Sequence, residues 1–290
     1  MSDDLIGMRS LPGENGFDYS TMNWAKLTNR GYELSLSTVN VKTKDFRWVM
    51  DFNLAHNKSK INRLNVRDNS YEPSREGYSV GAVFSLKTAG LDENGLQMFY
   101  NKQGEKVSFN DFFGLEYGYM MGGLIPFLKS NLSAEEYRNL FTYEGTTEPK
   151  FTGGWINRFY YKNFDLTVSA SFVLDQTVQE QPFYNPVQTS PGQNYSRRMS
   201  QIWSPDNTSG KYPRIMGTYT EGEENWAYQW LGMLDPGNSY RKYDYWFKKM
   251  SYMRINSIRL GYTFPERLLG HIGFSSARIS FEARNPFVFG

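Results

Sequence analysis

Hydrophobic and polar residues alternate strictly along several stretches of this chain. Because successive side chains of a β-strand point to opposite faces, a period of two predicts strands with one apolar and one polar face. The first such pair covers residues 31–38 and 46–55, and the short connection over 40–45 predicts an antiparallel hairpin. Its apolar positions are Tyr32, Leu34, Leu36, Thr38, Phe46, Trp48, Met50, Phe52 and Leu54.

A second hairpin is predicted from residues 153–161 and 164–174. The apolar face of its second strand is formed by Phe164, Leu166, Val168, Ala170, Phe172 and Leu174. Lys162 and Asn163 lie between the two strands and predict a tight turn, in which Asn163 tolerates a positive φ.

A third hairpin is predicted from residues 257–264 and 277–284, across a connection over 265–273. Upstream of it, Met253 and Ile255 lie on the opposite parity from Ile258 and Leu260. A β-bulge inserts one extra residue and restores the phase, so the pattern predicts a bulge near Asn256.

The lengths of strands and connections predict a membrane β-barrel. The strands reach roughly 9–11 residues, which a tilted strand needs to cross a bilayer, whereas globular strands are nearer 5–6 residues. Short turns join the strands of each pair, but residues 58–150 and 175–250 form very long connections. Outer-membrane barrels have this asymmetry, with the long loops outside, so we expect both connections to be extracellular.

Some local order is predicted inside these connections. Ser133 and Glu136 have the spacing of a capping box and predict a helix over Ala134–Phe141. The turns at Asn94-Gly95 and Gln103-Gly104 enclose a small hairpin at 96–100, and 78–86 alternates like a further strand.

Composition agrees with a barrel that carries aromatic girdles. The 290 residues include 21 Tyr, 21 Phe and 7 Trp, while the mean hydropathy is −0.61. Aromatic residues in a polar background fit a barrel with a polar interior, and they also fit a soluble all-β protein that stacks sugars on aromatic faces. Cysteine is absent, which excludes disulfides and thiol chemistry. The 32 basic and 30 acidic residues nearly balance and give no electrostatic footprint for nucleic acid.

Several motifs resemble the SusC/RagA family of TonB-linked outer-membrane proteins of Bacteroidetes. The stretch 27–36 resembles the family's "N-x-G-x-E-L-x-L" strand, and 149–154 with 161–166 is the most specific match. The blocks at 77–81, 89–95, 251–255, 260–265 and 284–287 follow in the family's order.

This resemblance implies a segment of a roughly 22-stranded, plugged, antiparallel transmembrane β-barrel in the cell outer membrane. It implies TonB-dependent import of a large nutrient ligand, a glycan or an oligopeptide, together with a SusD-like surface lipoprotein. Family members also carry a signal sequence, a plug domain and a last strand ending in an aromatic residue. We expect these parts, and the contact with the TonB complex, to lie outside this sequence.

Import needs no covalent chemistry, so the candidate site residues are ligand contacts and neither a catalytic residue, a metal nor a cofactor is predicted. Aromatic rings suit stacking on sugars. The candidates are the aromatic residues of the second connection: Tyr195, Trp203, Tyr212, Tyr219, Trp226, Tyr228 and Trp230. For any one of them, packing inside a folded loop or against the lipoprotein is the competing interpretation.

Other notable residues have simpler interpretations. Trp48, Trp155 and Trp246 lie near predicted strand ends and are expected in an interfacial girdle or packed in the barrel lumen, and not in a ligand site. Asp92-Glu93-Asn94-Gly95 lacks the further ligands of a calcium loop, so a plain turn is predicted.

Two other classes of function remain open from the sequence. A soluble all-β carbohydrate-binding module predicts shorter strands, short connections and an internal repeat. A glycan-degrading enzyme requires a placed pair of carboxylates, and the adjacent pairs Glu135-Glu136 and Glu223-Glu224 do not provide one.

Overall fold

Long antiparallel strands dominate the structure. The computed structural model describes residues 5–10, 14, 19–64, 71–120, 125–190, 192–216, 222–235, 238–270 and 274–290. In chain order its strands are β1 (Leu5–Ser10), β2 (Tyr19–Lys42), β3 (Phe46–Leu64), β4 (Ala82–Leu86), β5 (Thr88–Leu91), β6 (Gln97–Tyr100), β7 (Lys106–Val107), β8 (Leu115–Met120), β9 (Ile125–Ser130), β10 (Phe141–Thr146), β11 (Phe151–Tyr161), β12 (Phe164–Gln179), β13 (Phe247–Thr263) and β14 (Arg278–Phe289). The α-helices are α1 (Phe109–Phe113), α2 (Ala134–Arg138), α3 (Gly222–Gln229) and α4 (Glu266–Leu269).

Seven strands form one large sheet in the order β1-β2-β3-β11-β12-β13-β14. Every neighbouring pair is antiparallel. The order of the strands in this sheet is also their order in the chain, so each strand is paired with the strands of the sheet that come before and after it. The long connections leave from β3 and β12 at the same end and return to β11 and β13. The predicted all-β, antiparallel architecture is confirmed.

The predicted hairpins are confirmed. β2 pairs with β3 across a short turn that ends at Asp45, and β13 pairs with β14. Tyr161 is directly opposite Phe164, so Lys162 and Asn163 alone form the turn between β11 and β12. The positive φ of this turn, however, is at Lys162 (51°) and not at Asn163 as predicted. Asn163 instead donates its Nδ2 hydrogen to the Thr263 carbonyl, 2.8 Å away, which ties the turn to β13.

The predicted bulge near Asn256 is also confirmed. Registers with both neighbouring strands shift between Ile255 and Ser257. On β14 the shift includes Asn285, which has a φ of 49°. Because of this bulge, Ile255 and Ile258 share one face of the sheet although their spacing is odd.

The strands are longer than the predicted 9–11 residues. β2 has 24 residues, β3 has 19 and β13 has 17. β3 continues to Leu64 and so passes position 58, where the sequence pattern places the start of the first connection. The strands extend beyond their apolar stretches because the backbone hydrogen bonds between neighbouring strands continue where the side chains are polar.

The two long connections fold against each other. Their shared core contains Leu86, Leu96, Phe99, Phe109, Phe112, Phe113, Leu115, Tyr137, Tyr184, Ile202, Tyr212, Met216, Ala227, Trp230, Tyr240, Tyr243 and Trp246. We call the described residues of 82–149 and 180–246 the loop domain. Its small sheets are β4 with β10, β5 with β6 and β7, and β8 with β9.

Local predictions for the first connection are confirmed in part. Ser133 and Glu136 form the predicted capping box, with the Ser133 backbone N–H donating to Glu136 Oε2 at 2.8 Å. These hydrogen bonds hold the pKa of Glu136 below its usual range. The helix ends at Arg138, and Phe141 begins a strand, because Phe141 pairs with Leu86. The strand predicted over 78–86 is limited to Ala82–Leu86 and belongs to the loop domain.

None of the helices in the described ranges is long and apolar enough to cross a membrane.

Candidate functional site

One face of the large sheet is almost entirely apolar. Pairing registers place Leu36 beside Phe52, Trp155 beside Phe52, and Leu166 beside Leu260. We call this the apolar face, and its members are Tyr32, Leu34, Leu36, Thr38, Phe46, Trp48, Met50, Phe52, Leu54, His56, Phe151, Gly153, Trp155, Asn157, Phe159, Tyr161, Phe164, Leu166, Val168, Ala170, Phe172, Leu174, Met253, Ile255, Ile258, Leu260, Tyr262, Ile279, Phe281, Ala283, Phe287 and Phe289. Within these described positions it carries no Asp, Glu, Lys or Arg. Many of its large side chains are exposed, with Phe281 at 73% and Ile279 at 63%.

The apolar face has the height of a bilayer. From Phe46 to His56, β3 extends roughly 33 Å at about 3.3 Å per residue. A strand tilt of about 40° reduces this to about 25 Å, which is the height of the apolar band of outer-membrane barrels. Aromatic contacts border the band at both ends. Trp48 stacks on Phe159 with centroids 5.7 Å apart at the short-turn end, and Tyr32 lies 5.0 Å from His56 at the other.

The opposite face of the sheet, which we call the polar face, is charged and hydrogen-bonded. Asp51 accepts a hydrogen bond from Ser37 at 2.7 Å and forms an ion pair with Arg158. Arg278 pairs with Asp165 at 2.7 Å. Two serines of β12 form hydrogen bonds to β13, Ser169 with Ser257 at 2.8 Å and Ser171 with Asn256 at 3.1 Å.

A polar depression of about 390 Å³ lies in this sheet around Gly153 and Gly154. Gly154 contributes no side chain, and a Cβ there would lie 2.7 Å from the Ala170 carbonyl oxygen. The polar groups around the depression are Ser35, Ser37, Asp51, Asn53, Ser169, Ser171 and Asn256. Hydroxyls, amides and one carboxylate at this position offer both donors and acceptors to a hydrophilic molecule.

The loop domain is held together by aromatic contacts between the two connections. Phe99, from the first connection, is fully buried and stacks on Phe112 with centroids 4.2 Å apart. It also meets Tyr243, from the second connection, edge-on at 5.2 Å. Trp246 is fully buried and stacks on Tyr212 at 5.4 Å.

Arg198 binds this aromatic cluster to the end of the sheet. Its guanidinium lies 4.5 Å from the Phe183 ring centroid and donates to the Tyr212 hydroxyl at 2.7 Å. It also forms an ion pair with Glu180, which Lys248 contacts at 2.5 Å. Lys248, together with Arg198, holds the pKa of Glu180 below its usual range, against the opposing effect of burial.

A cavity of about 500 Å³ opens beside this cluster. Its apolar walls are Phe183, Tyr184, Leu231, Met233 and Tyr240, and its polar lining is Gln181, Asn185, Gln188, Asp235, Asn238 and Arg241. Aromatic walls with a few polar groups are the usual construction of a small-molecule site. The cavity is therefore the candidate ligand site of the loop domain.

Three of the predicted ligand contacts are largely buried. Tyr212 and Trp230 are 3% and 4% exposed and belong to the core, and Trp203 is 8% exposed. Trp203 packs on Gly95 and beneath Arg214, whose guanidinium is 5.4 Å from its ring. The faces of these rings are already in contact with protein.

The other predicted contacts are more accessible. Trp226 and Tyr228 are half-buried against the core, and Trp226 stacks on Tyr117 at 5.8 Å. Tyr195 is half-buried in a local turn, where its hydroxyl accepts from the Ser190 N–H at 2.8 Å. Tyr219 lies outside the described residues.

The remaining sequence predictions have definite positions. Trp48 and Trp155 lie on the apolar face. Trp246 precedes β13 but belongs to the loop-domain core, so it lies neither in a girdle nor in the lumen packing that the sequence predicts. The turn predicted at Asp92 is confirmed, since Asp92 Oδ1 accepts from the N–H groups of Asn94 and Leu96 at 2.9 and 2.7 Å.

The sequence does not predict the residues that line the cavity. None of the six predicted aromatic residues that the structure describes lines it. Its two halves come from residues 181–188 and 231–241, and only tertiary packing brings them together. A weak signal exists in the polar residues Gln181, Asn185 and Gln188 interspersed with Phe183 and Tyr184.

Curated relatives match nearly the whole chain. TonB-dependent receptor P3 of Formosa agariphila is 26% identical over 306 residues, covering 99% of this chain and 27% of the receptor. TonB-dependent receptor SusC of Bacteroides thetaiotaomicron is 23% identical over 296 residues, covering 99% and 26%. The chain thus spans about a quarter of the length of these relatives. No protein-family profile matches it.

Solved structures show the same fold. The RagAB peptide importer in its "closed-closed" state aligns with a TM-score of 0.68 at 20% identity, over 99% of this chain and 29% of the importer chain. In the "open-open" state the TM-score is 0.63 at 17% identity. The resemblance to the SusC/RagA family that the strand motifs indicate is therefore confirmed, and this chain is related to TonB-dependent receptors over nearly its whole length.

Proposed function

We propose that this chain is part of an outer-membrane transporter that imports a large nutrient ligand, a glycan or an oligopeptide, by a TonB-dependent mechanism. The observation that carries the proposal is the pair of unlike faces of the sheet. An uncharged face about 25 Å high is suited to lipid, and a hydrogen-bonded, charged face is suited to a water-filled interior. The names of the curated relatives support the same function.

The proposal assigns the two ends of the sheet to the two sides of the membrane. The predicted loop regions 58–150 and 175–250 would be extracellular, since long loops of outer-membrane barrels lie outside and tight turns face the periplasm. The loop domain then lies where a ligand arrives. A SusD-like lipoprotein would cover it, and the TonB complex would drive the import.

The ligand would meet two sites in succession. The loop-domain cavity offers aromatic walls and polar groups, and the depression at Gly154 offers hydroxyl, amide and carboxylate groups along the polar face. Tyr195, Trp226 and Tyr228 remain proposed ligand or lipoprotein contacts. For Trp203, Tyr212 and Trp230 their burial supports the packing role instead.

Uptake by cells tests the proposed function. The gene for the natural polypeptide containing this sequence is deleted, and growth is compared on defined glycans and on defined oligopeptides as sole nutrient. We expect growth to be lost on one of these classes and restored by the wild-type gene. Two results together would contradict the proposal: unchanged growth of the deletion strain on every class, and recovery of the protein from the parent cells in a soluble fraction. They would favour the alternative of a soluble all-β carbohydrate-binding module.

Removing the cavity's cation is expected to weaken ligand binding. Arg241 is exposed at the cavity, and its guanidinium has no ion pair among the described residues. Because a hydrogen bond from a charged donor contributes about 1.5–3 kcal/mol, Arg241→Ala should weaken binding of the imported ligand roughly 10- to 150-fold. Binding to purified protein is measured by calorimetry. Arg197→Ala, an exposed arginine away from the cavity, is the control, and equal affinities for the two variants would show that the cavity does not hold the ligand.

A further inference from the structure

A group of cations lies above the apolar face at the long-connection end. Lys58 and Lys60 continue the apolar face of β3 past His56, because the register with β2 stays regular there. Arg30 is directly opposite Lys58 on the same face. Lys150 lies beside them, since its carbonyl oxygen is 2.6 Å from His56 Nδ1. We call these four residues the basic rim.

The basic rim lacks acidic partners. Among the described residues no carboxylate forms an ion pair with Arg30, Lys58, Lys60 or Lys150, and all four are exposed. Like charges directly opposite each other on two strands destabilise the pairing. Arg30 and Lys58 therefore form an arrangement that a bound anion would stabilise.

A groove of about 670 Å³ adjoins the basic rim. Lys58, Lys60 and Lys150 line it together with Lys249 and the rings of Tyr78 and Tyr143. Three carboxylates also line it, but each already has a partner. Glu148 accepts from Ser59 Oγ at 2.6 Å, Glu144 pairs with Lys87, and Asp175 lies 3.9 Å from Lys249. The groove therefore offers three ammonium groups without a carboxylate partner beside aromatic walls, and one of them, that of Lys150, lies 5.9 Å from the Phe151 ring centroid.

The height of the basic rim indicates what it meets. Lys58 follows His56 by one apolar-face position, or roughly 6.6 Å along the strand. With a tilt of about 40°, Lys58 lies about 5 Å above the aromatic contact of Tyr32 and His56, and so above the hydrocarbon boundary that such girdles mark. Charged lipid headgroups occupy this layer.

We propose that the basic rim and its groove bind the phosphorylated sugar headgroup of an anionic glycolipid in the outer leaflet of the outer membrane. The ammonium groups of Lys58, Lys60 and Lys150 contact the phosphates, and Arg30 contributes a planar guanidinium that matches phosphate geometry. The sugar lies against Tyr78 and Tyr143, while the acyl chains lie along the apolar face. This inference rests on the proposed function, because it requires the sheet to lie in an outer membrane.

The test compares two double variants of the natural polypeptide that contains this sequence. Lys58→Gln/Lys60→Gln removes two cations of the basic rim, and Lys42→Gln/Lys44→Gln removes two exposed lysines at the short-turn end. Each protein is purified from outer membranes, and its co-purified phosphorylated glycolipid is quantified by mass spectrometry. Each is then bound to phosphatidylcholine vesicles with and without diphosphoryl lipid A.

Cations near an anionic membrane surface contribute about a fivefold factor each, so the rim variant should retain the glycolipid roughly 30-fold more weakly. The control variant should behave as wild type, and the difference should disappear in vesicles without diphosphoryl lipid A. Equal retention by both variants, with both in the outer-membrane fraction, would overturn this inference and leave the proposed function standing. Loss of the lipoprotein from the rim variant with unchanged glycolipid would also overturn it. Recovery of the wild type outside the outer membrane would overturn both proposals.

Discussion

Replacing Leu36 by arginine is expected to lower the stability of the membrane-inserted protein by about 2–4 kcal/mol, the cost of a cation near the middle of the lipid-facing side of a barrel. Leu36 lies opposite Phe52, close to mid-height of the apolar face, and is 46% exposed although it is large and apolar. In lipid that exposure is favourable, whereas a guanidinium at the same position must leave the hydrocarbon or draw water into it.

Ser35→Arg is the matched control. Ser35 is the adjacent exposed residue of β2 and points to the polar face, near Asp51 and Asn53. There an added arginine faces water and carboxylate groups, so its effect should stay within about 0.5 kcal/mol, as for ordinary surface substitutions. Urea unfolding of the natural polypeptide in lipid vesicles measures both variants. If the two variants lose the same free energy of unfolding, the assignment of the faces to lipid and water is wrong.

Replacing Phe99 by alanine is expected to unfold the loop domain while leaving the large sheet intact. Phe99 is fully buried and contacts Phe109, Phe112, Phe113 and Tyr243. Replacing such a buried phenylalanine by alanine lowers the free energy of unfolding by about 3–5 kcal/mol. The loss falls on the contact between the two connections because Tyr243 belongs to the second and Phe99 to the first.

Tyr100→Ala is the control, since Tyr100 follows Phe99 but is 41% exposed. Limited proteolysis on intact cells measures the effect. With Phe99→Ala we expect both long connections to be cleaved rapidly and the membrane-embedded fragments to remain folded, whereas Tyr100→Ala should resist cleavage as wild type does. Cleavage confined to the first connection would show that the two connections do not stabilise each other.

The sequence predicts the large sheet well because its determinants are local. Alternation along 46–55 and 164–174 predicts strands, faces and neighbours at once, since a register slip by one residue would place every apolar side chain on the polar face. The bulge at Asn256 is predictable for the same reason, because the apolar residues lie at odd positions before it (Met253, Ile255) and at even positions after it (Ile258, Leu260). The positive φ at Lys162 does not follow from the sequence, because residue preference favours Asn163 for this conformation. The hydrogen bond from Asn163 to the Thr263 carbonyl is a tertiary contact, which the local sequence does not indicate.

The loop domain and its cavity are much less predictable. Phe99 and Tyr243 are far apart in sequence, and nothing in either segment indicates that they meet. The aromatic residues of the second connection predict ligand contacts, but Tyr212 and Trp230 are buried in the core of the loop domain. Ring type alone does not distinguish a ligand platform from a core residue, since both require a large apolar surface.

The basic rim shows how a known sheet register extends what sequence can predict. Arg30 and Lys58 are ordinary surface cations in the sequence. Their position opposite each other on the apolar face, directly above an aromatic girdle, follows only from the pairing of β2 with β3. The same register gives the rim its height in the bilayer.

The most direct test of the central claim is the accessibility of β12 in the membrane. The 290 residues contain no cysteine, so spin labels can be placed on single cysteines introduced at successive positions from 164 to 172 without background from this part of the polypeptide. Collisions with oxygen report contact with lipid, and collisions with a water-soluble nickel chelate report contact with water. We predict a period of two, with oxygen favoured at the even, apolar-face positions and nickel at the odd positions. Accessibility without alternation, or nickel contact at every position, would contradict a membrane-spanning sheet.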